Sequence, residues 1–430
     1  MVQASTSSPW ITVTAVSLGW LFSAVDIVLL ILFQEEIAAD LGVTVQALRG
    51  SIGVGLFGSA LGGLFFAQLG DRLGRVKALS LSIILYSIAT GAMALSSSIE
   101  SLYAFRLLAG IGTGAEWSIG FALLSEVWSR HSRGTVGGLV AAMFNLGTFV
   151  AIALYHSSLG WRWSFGVMAG PAIFSIFLRF VLPESPLWIK LQEQKQAGLL
   201  SAELEARMQG SPILAAFHGD IKWRTIHLIV MFAIMNIGFY SFSTVFINFL
   251  KAEVSSGGLQ LSRADQLPFH LALNVSSLVS ILLAGWISDL VGRKKASFFF
   301  CFLGGTGFML LSSKLGGGAG TTELKQALLL PFAICCAGFG INGVLGIFTP
   351  ELFPTELRST GPGVSQNLGK GVGGLLGPTL AGSLIASYGY TFVLSLPGWS
   401  FMLLALLIWK LPEVGGRDLT LEESPLTDEK

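Results

Sequence analysis

The sequence predicts an all-α membrane protein in which twelve transmembrane helices form two six-helix bundles. Three observations carry this prediction: an apolar composition, twelve apolar stretches of membrane-spanning length, and a basic loop that occurs twice, half the chain apart. Of the 430 residues, 52% are hydrophobic and 12% are charged, whereas about 25% of residues in soluble domains are charged. The composition therefore places the chain in a lipid bilayer.

Twelve stretches of the sequence are long enough to cross a membrane, which requires about 20 apolar residues. The 53 glycines suit such helices, because small residues allow membrane helices to pack closely. We number the stretches as predicted helices 1 to 12. They begin near Trp10, Gln46, Lys77, Ile99, Gly134, Trp163, Trp223, Gln266, Lys295, Lys325, Gly361 and Tyr390.

The loop between predicted helices 2 and 3 is nearly repeated between helices 8 and 9. Residues 67–75 read AQLGDRLGR and residues 285–293 read GWISDLVGR. Further matches between the halves pair Glu126 with Glu351, the Arg-Gly-Thr at Arg133 with the Arg-Ser-Thr at Arg358, and Asn145 with Asn367. This duplication predicts two homologous bundles, an arrangement in which transporters bind substrate between the bundles near the middle of the membrane.

The longest polar stretch, residues 183–222, separates the two sets of six helices. Its mixed charges and helix-forming residues predict a linker with one or two short surface helices. The predicted organisation is therefore a first bundle at 1–182, the linker at 183–222, a second bundle at 223–411 and a tail at 412–430. The acidic, proline-containing composition of the tail predicts disorder.

Lysine and arginine gather in alternate loops, which predicts the orientation of the chain. Examples are the loops that follow predicted helices 2, 4 and 8, together with the linker. Because cytoplasmic loops are enriched in these residues, we expect these loops and both termini to be cytoplasmic. The first apolar stretch has no preceding positive charge and is interrupted by Asp26, so a cleaved signal peptide is not expected. The prediction is a multi-pass protein of the cell (inner or plasma) membrane.

Several classes of function are excluded by composition and context. The net charge of +1 and the absence of basic runs interleaved with aromatic residues argue against nucleic-acid binding. The three cysteines lie in predicted helices, without the spacing of a disulfide framework or a zinc site. We predict no enzymatic activity, no cofactor and no metal. The expected partner at this point is the lipid bilayer, and the expected state is a monomer.

Further motifs follow in order along the chain: an arginine and three spaced glycines in predicted helix 4 (106–114), the Pro-Glu-Ser-Pro sequence at 183–186, and PELFPTELR at 350–358. With the repeated loop, these motifs resemble the major facilitator superfamily of secondary transporters. The resemblance implies alternating access, and we expect the charged residues of the loops to close the cytoplasmic side in the outward-open state. The predicted gating residues are Asp71, Arg72, Arg75, Asp289, Arg293, Glu126, Arg133, Glu351 and Arg358.

Within that superfamily, the segments around Glu116, Glu126 and Lys370 resemble those of metabolite:proton symporters for sialate, lactate and aromatic acids. The paired glutamines that sugar porters carry on helix 7 are absent, and the sequence at 235–238 is MNIG instead. The resemblance implies proton-coupled import of a monocarboxylate, a sugar acid or an aromatic acid. Alternatives are a sugar or drug transporter of the same fold and a nutrient sensor that does not transport.

Ionisable side chains inside membrane helices cost about 2.5–3.5 kcal/mol each at the bilayer centre, so each should have a role. The helical rise of 1.5 Å per residue places Asp26 and Arg106 at similar depths, and we predict that they approach one another in the outer half of the first bundle, either as a fixed pair or for proton coupling. Glu116 lies about 15 Å deeper than Arg106. It is the second candidate for the coupled proton, or a partner of the loop between helices 2 and 3. We favour Asp26.

Lys370 lies in a glycine-rich run near the middle of predicted helix 11, which contains no acidic residue. An ammonium group at this depth is expected to meet a substrate carboxylate or a carboxylate of the other bundle. Snorkelling to the membrane surface and structural pairing are the alternatives. Other polar side chains at intermediate depth are candidate substrate ligands, or else hydrogen bonds between helices: Asn145, Asn236, Tyr240, Asn274, Asn342, Gln366 and Asn367.

Overall fold

The computed structural model describes residues 9–157, 159–171, 182–253, 258–262, 265–315, 322–416 and 419. The regular secondary structure in these ranges is helical. Ten helices in the described ranges are long and apolar enough to cross a membrane. The predicted all-α membrane fold is confirmed.

We label the membrane helices α1 to α12 in chain order. In the first half, α4 is divided by a break at residues 114–115, and only the beginning of α6 falls within the described ranges. The helices are α1 (Pro9–Leu32), α2 (Val45–Leu73), α3 (Arg75–Met93), α4 (Ile99–Thr113 and Glu116–Val127), α5 (Arg133–His156) and the start of α6 (Gly160–Val167).

In the second half, α10 is divided in the same way as α4, by a 3₁₀ turn at Gly338–Gly340. One continuous helical stretch, Thr360–Ile408, contains both α11 and α12, with a break at Gly389, whose φ is 72°. The others are α7 (Ile221–Lys251), α8 (Leu267–Val291), α9 (Arg293–Leu315) and α10 (Thr322–Ala337 and Ile341–Glu351).

Helix starts were predictable from the sequence. Every predicted start lies within three residues of an observed helix start or, for helix 12, of the break at Gly389. The linker contains three short helices, Pro186–Gln196, Ala202–Gln209 and Pro212–Ala216, so the expectation of one or two was too low. Each follows a serine, the residue type that favours helix N-termini, and two of them begin with proline, which is well tolerated at the first helical position.

We call the membrane side that carries the linker and the loops at 128–132 and 352–359 the linker face, and the opposite side the distal face. Glycines bring the halves together towards the linker face. On α5, Gly134 and Gly138 lie so close to Gly285 on α8 that a Cβ atom would collide with that backbone. On α2, Gly63 leaves space for the Asn367 side chain of α11. The two halves are therefore tightly packed between mid-membrane and the linker face.

Candidate functional site

The first candidate site is a network of charged residues on the linker face, which begins at the end of α2. The Asp71 carboxylate accepts hydrogen bonds from the backbone N–H groups of Ser359 (3.2 Å) and Thr360 (2.8 Å), where α11 begins. It also pairs with Arg75 at 3.3 Å. A negative charge is stabilised at a helix N-terminus, where backbone N–H groups are unpaired. Asp71 thus fastens α2 of the first half to α11 of the second.

The same arrangement occurs with the halves exchanged. The Asp289 carboxylate, at the end of α8, accepts hydrogen bonds from the backbone N–H groups of Gly134 (2.8 Å) and Thr135 (2.7 Å), where α5 begins. The Thr135 hydroxyl donates a third hydrogen bond at 2.7 Å, and Arg293 pairs with Asp289 at 2.7 Å. The repeated loops therefore cross-link the halves symmetrically.

Two buried glutamates complete the network. Glu126 at the end of α4 pairs with Arg75 at 3.1 Å and with Arg358 of the other half at 3.0 Å. Burial holds the pKa of Arg358 below its ordinary value, although the Glu126 carboxylate opposes this effect. Glu351 at the end of α10 pairs with Arg293 at 3.1 Å and with Arg133 of the first half at 3.6 Å. These contacts close the linker face in this structure.

Two further residues of this network were missed in the sequence. Glu184 accepts hydrogen bonds from the backbone N–H of Arg75 (2.8 Å) at the start of α3, and Glu413 accepts them from the backbone N–H groups of Arg293 (2.9 Å) and Lys294 (3.0 Å) at the start of α9. The signal was a second repeat, Leu-Pro-Glu at 182–184 and again at 411–413. The expectation of a disordered tail is therefore wrong for its first residues, because Glu413 is held against a helix N-terminus.

Arg72 is the one predicted gating residue that the structure does not bring into the network. Its side chain is exposed and donates a hydrogen bond of 3.0 Å to the carbonyl of Gly210 in the linker. Trp188 of the linker donates through Nε1 to the carbonyl of Asp71 at 2.8 Å. Arg72 therefore binds the linker beside the gate.

The second candidate site, which we call the mid-membrane residues, lies within the membrane helices and away from the linker face. Asp26 on α1 and Arg106 on α4 form an ion pair at 2.5 Å, which confirms the predicted approach. The Thr90 hydroxyl donates a hydrogen bond to the other Asp26 oxygen at 3.0 Å. Both charged residues are at most 5% exposed. The Asp26 carboxylate is thus held by a cation and a hydroxyl.

Glu116 is in a different situation. It is 4% exposed, and neither carboxyl oxygen has a well-formed hydrogen bond among the described residues. The hydroxyls of Tyr86 and Ser23 face it, and Gly19 of α1 is so close that a Cβ atom there would lie 3.2 Å from Oε1. The suggestion that Glu116 bonds the loop between α2 and α3 is wrong; Glu126 makes that contact.

Lys370 reaches from α11 of the second half to the first half. Its Nζ lies 3.2 Å from the Ser59 hydroxyl of α2. No carboxylate in the described part of the chain forms an ion pair with it, and the charged group that acts on it is Arg106. The structure thus brings Lys370 to the bundle interface, near the Asp26–Arg106 pair.

The predicted polar substrate ligands divide into two groups. Four donate to backbone carbonyls of their own helices: Asn236 to Phe232, Asn274 to His270, Asn342 to Phe339 and Asn367 to Gly363. The remaining three are Asn145, which is buried and whose Nδ2 lacks a hydrogen bond among the described residues, Tyr240, whose ring lies beside Gly374, and the half-buried Gln366.

An aromatic wall surrounds this part of the first half. Trp20 packs against Trp117 and Phe144, with ring centroids 5.2 Å and 5.6 Å apart. Trp117 in turn packs against Phe121 at 4.6 Å, and Phe121 touches Gly346 of α10 in the other half. These ring contacts connect α1, α4 and α5 of the first half with α10 of the second half.

Comparison with known sequences identifies a family of membrane proteins. The sequence model of the family described as Major Facilitator Superfamily matches residues 15–367. A Haemophilus influenzae protein named provisionally as a metabolite transport protein is 28% identical over 97% of this chain and 100% of its own length. The niacin transporter NiaP of Acinetobacter baylyi is 26% identical over 87% and 86% of the two chains. The sialic acid transporter NanX of Escherichia coli is 26% identical over 91% of both.

Among solved structures, the proton:xylose symporter XylE bound to 6-bromo-6-deoxy-D-glucose superposes with a TM-score of 0.76. The match covers 96% of this chain and 97% of that chain at 20% sequence identity. At this identity the likeness establishes the fold.

Proposed function

The chain belongs to the major facilitator superfamily, and from that premise we propose that it imports a small organic anion together with one or more protons by alternating access. The substrate class is a monocarboxylate, a sugar acid or an aromatic acid. The linker face is the cytoplasmic side of an inner or plasma membrane, both termini are cytoplasmic, and the protein works as a monomer. On this assignment, the closed linker face is the cytoplasmic gate.

Lys370 is the single observation that carries the proposal. Its Cα atom lies about 15 Å from the start of α11, at a rise of 1.5 Å per residue, and the described partner of its ammonium group is a neutral hydroxyl. A charge inside a membrane protein normally pairs with an opposite charge or marks a substrate pathway. At an effective dielectric constant of 20, a carboxylate 4 Å away contributes about 4 kcal/mol. An anionic substrate supplies the missing partner.

The mid-membrane residues support coupling to protons. An anion that enters alone adds a negative charge to a low-dielectric site, and one proton bound to a carboxyl group cancels it. Two carboxyl groups, Asp26 and Glu116, are buried inside the first half of the protein. The relatives named for niacin and sialic acid support a carboxylate as the substrate.

The network on the linker face supports alternating access. Release to the cytoplasm requires Glu126 to separate from Arg358, and Glu351 from Arg133. Buried ion pairs tolerate separation only when each partner finds new hydrogen bonds. Glu126 retains Arg75, and Glu351 retains Arg293, when the halves part. Each half therefore keeps an internal pair, which lowers the cost of opening.

The proposal is tested by uptake into proteoliposomes with matched acids and neutral amides, such as nicotinate with nicotinamide and lactate with lactamide, together with sialic acid. Three variants are compared: Lys370→Met, Lys370→Arg, and the control Lys314→Met, which removes an exposed lysine of the same half. Loss of one partner of a desolvated charge pair costs about 2–5 kcal/mol. We therefore expect Lys370→Met to lower uptake of one acid by more than about 30-fold.

The control Lys314→Met should transport at the unsubstituted rate, and Lys370→Arg should retain part of the activity because it keeps the charge. An inserted and folded Lys370→Met protein that transports the acid normally would contradict the role of Lys370. Transport of the amides in preference to the acids would indicate a neutral substrate.

A further inference from the structure

We propose that Glu116, rather than Asp26, carries the coupled proton, and that the helical segment Glu116–Val127 connects this site mechanically to the gate on the linker face. The inference rests on the proposed function and assigns one of its residues. Four features of the described structure support it.

The first feature is the difference between the two carboxyl groups. Asp26 is already bound by the Arg106 guanidinium at 2.5 Å and by the Thr90 hydroxyl at 3.0 Å. Protonation of Asp26 would leave Arg106 as a buried cation without its partner, which is costly. Glu116 has no cationic partner among the described residues, and both of its oxygens lack well-formed hydrogen bonds. Protonation therefore disrupts fewer interactions at Glu116 than at Asp26.

The second feature is the surroundings of Glu116. The titratable groups that face it are Tyr86 on α3 and Asp26 on α1. The hydroxyls of Tyr86 and Ser23 face the carboxyl group, and once they approach to hydrogen-bond distance they can donate to the carboxylate or accept from the protonated group. Gly19 gives the carboxyl group space beside α1. The site thus offers nearby hydroxyls to both protonation states of Glu116.

The third feature is the position of Glu116 along α4. It is the first residue of the segment Glu116–Val127, immediately after the break at 114–115. Glu126 lies ten residues further along, a distance of about 15 Å in a helix, and holds Arg75 and Arg358. One short rigid helix therefore carries the proton site at one end and a gate carboxylate at the other, so that opening of the gate shifts Glu116 against α1.

The fourth feature is a comparison of the halves. Glu351 follows Glu126 by 225 positions, and the same offset aligns Glu116 with Ile341. Ile341 likewise begins the segment Ile341–Glu351 after a break in its helix, and it is fully buried. The second half thus has the same break, segment and gate glutamate, with an apolar residue in place of the carboxyl group. Closing the gate does not require a carboxyl group there, so Glu116 has another role.

The proposed step conserves charge and atoms. A proton from water at the distal face binds to the Glu116 carboxylate while the substrate anion binds near Lys370. After the gate opens, the O–H bond of Glu116 breaks, the proton passes to water at the linker face, and the anion leaves. One proton and one substrate anion then cross the membrane together each time Glu116 binds and releases a proton.

The test compares Glu116→Gln, which is nearly isosteric and cannot ionise, with Asp26→Asn, using an acid that the unsubstituted protein transports. Counterflow exchange measures movement of the loaded carrier, and accumulation under an imposed pH gradient measures coupling. One pH unit corresponds to about 1.36 kcal/mol, so one-to-one coupling gives about tenfold accumulation per unit. We expect Glu116→Gln to exchange substrate independently of pH but to lose this accumulation.

Three results would overturn the inference: normal accumulation by Glu116→Gln, decoupled exchange by Asp26→Asn in its place, or loss of both activities in Glu116→Gln and in Glu116→Asp alike. The third would make Glu116 a packing residue. If Glu116→Gln alone is inactive and Glu116→Asp accumulates substrate, an ionisable carboxyl group is required, as proposed. Failure of the unsubstituted protein to transport any acid is a separate result, which contradicts the proposed function itself.

Discussion

The two halves of this protein are nearly identical at the linker face and different in the middle of the membrane. At the linker face, Asp71 and Asp289 hold the first residues of α11 and α5, and each half contributes one buried glutamate to an arginine of the other. In the middle, the halves differ in sequence. The offset that aligns Glu126 with Glu351 makes Ile341 the equivalent of Glu116, and Pro331 the equivalent of Arg106.

This difference separates two tasks. To close a membrane face symmetrically, both halves need the same charged residues at equivalent positions, and duplication of the sequence supplies them. Binding an asymmetric anion and a proton needs different parts, and these are the residues that the repeat does not contain. In our proposal the first half supplies the proton site and the second half supplies Lys370.

The largest expected effect comes from breaking the Asp26–Arg106 ion pair, since the second half has Pro331 at the position equivalent to Arg106. Arg106→Met leaves Asp26 buried without a cation, and loss of one partner of a buried pair costs about 3–5 kcal/mol. We expect a clear fall in the thermal unfolding temperature of the detergent-solubilised protein. The double variant Asp26→Asn with Arg106→Met should recover most of this loss, and a double variant as unstable as the single one would refute the pairing.

The next effect tests whether the two gate glutamates are equivalent. Glu126 has two partners, at 3.1 Å and 3.0 Å, whereas the second partner of Glu351 is at 3.6 Å. Removal of one partner of a buried charge pair costs about 2–5 kcal/mol, so both Glu126→Gln and Glu351→Gln should shift the protein towards the state open at the linker face. Glu126→Gln should shift it further.

Spin labels at the exposed and equivalent positions 77 and 295, on a background without the native cysteines, measure this shift. A longer distance in both variants, with the larger change in Glu126→Gln, agrees with the asymmetry. Unchanged distances would mean that these pairs do not hold the gate closed.

A smaller effect is expected where glutamates hold the starts of α3 and α9. Glu184→Gln and Glu413→Gln each weaken the interaction of a side chain with helix N–H groups, which is worth about 0.5–2 kcal/mol. Equal, modest decreases in unfolding temperature would show that the Leu-Pro-Glu repeat is equivalent in both halves. A loss confined to Glu184→Gln would show that the contact of Glu413 contributes nothing.

The smallest effect is expected at the distal face. Asp40 and Arg162 pair at 2.8 Å, but both side chains are more than 40% exposed, and exposed ion pairs contribute about 0–1 kcal/mol. Asp40→Asn should leave both the unfolding temperature and uptake almost unchanged. A decrease as large as that of the gate variants would show that the distal pair is part of the gating mechanism.

Helix positions, the duplicated loops and the Asp26–Arg106 contact could be predicted because they depend on local periodicity and the fixed rise of a helix. The partners of Lys370 and Glu116 could not, because they depend on how helices from distant parts of the chain rotate against one another. Glu184 and Glu413 were missed because a short Leu-Pro-Glu sequence is a common helix-terminating pattern, and its meaning becomes visible only when both copies contact equivalent helices. The roles of these residues in transport remain predictions.

The most direct test is whether proton and anion enter together. Proteoliposomes that contain the unsubstituted protein and an internal pH dye receive sialic acid, or another transported hydrophilic acid, at equal pH on both sides. We predict internal acidification that begins with uptake of the labelled acid and is absent in empty vesicles and in Lys370→Met. Uptake of the labelled acid with no change in internal pH would contradict proton-coupled anion transport.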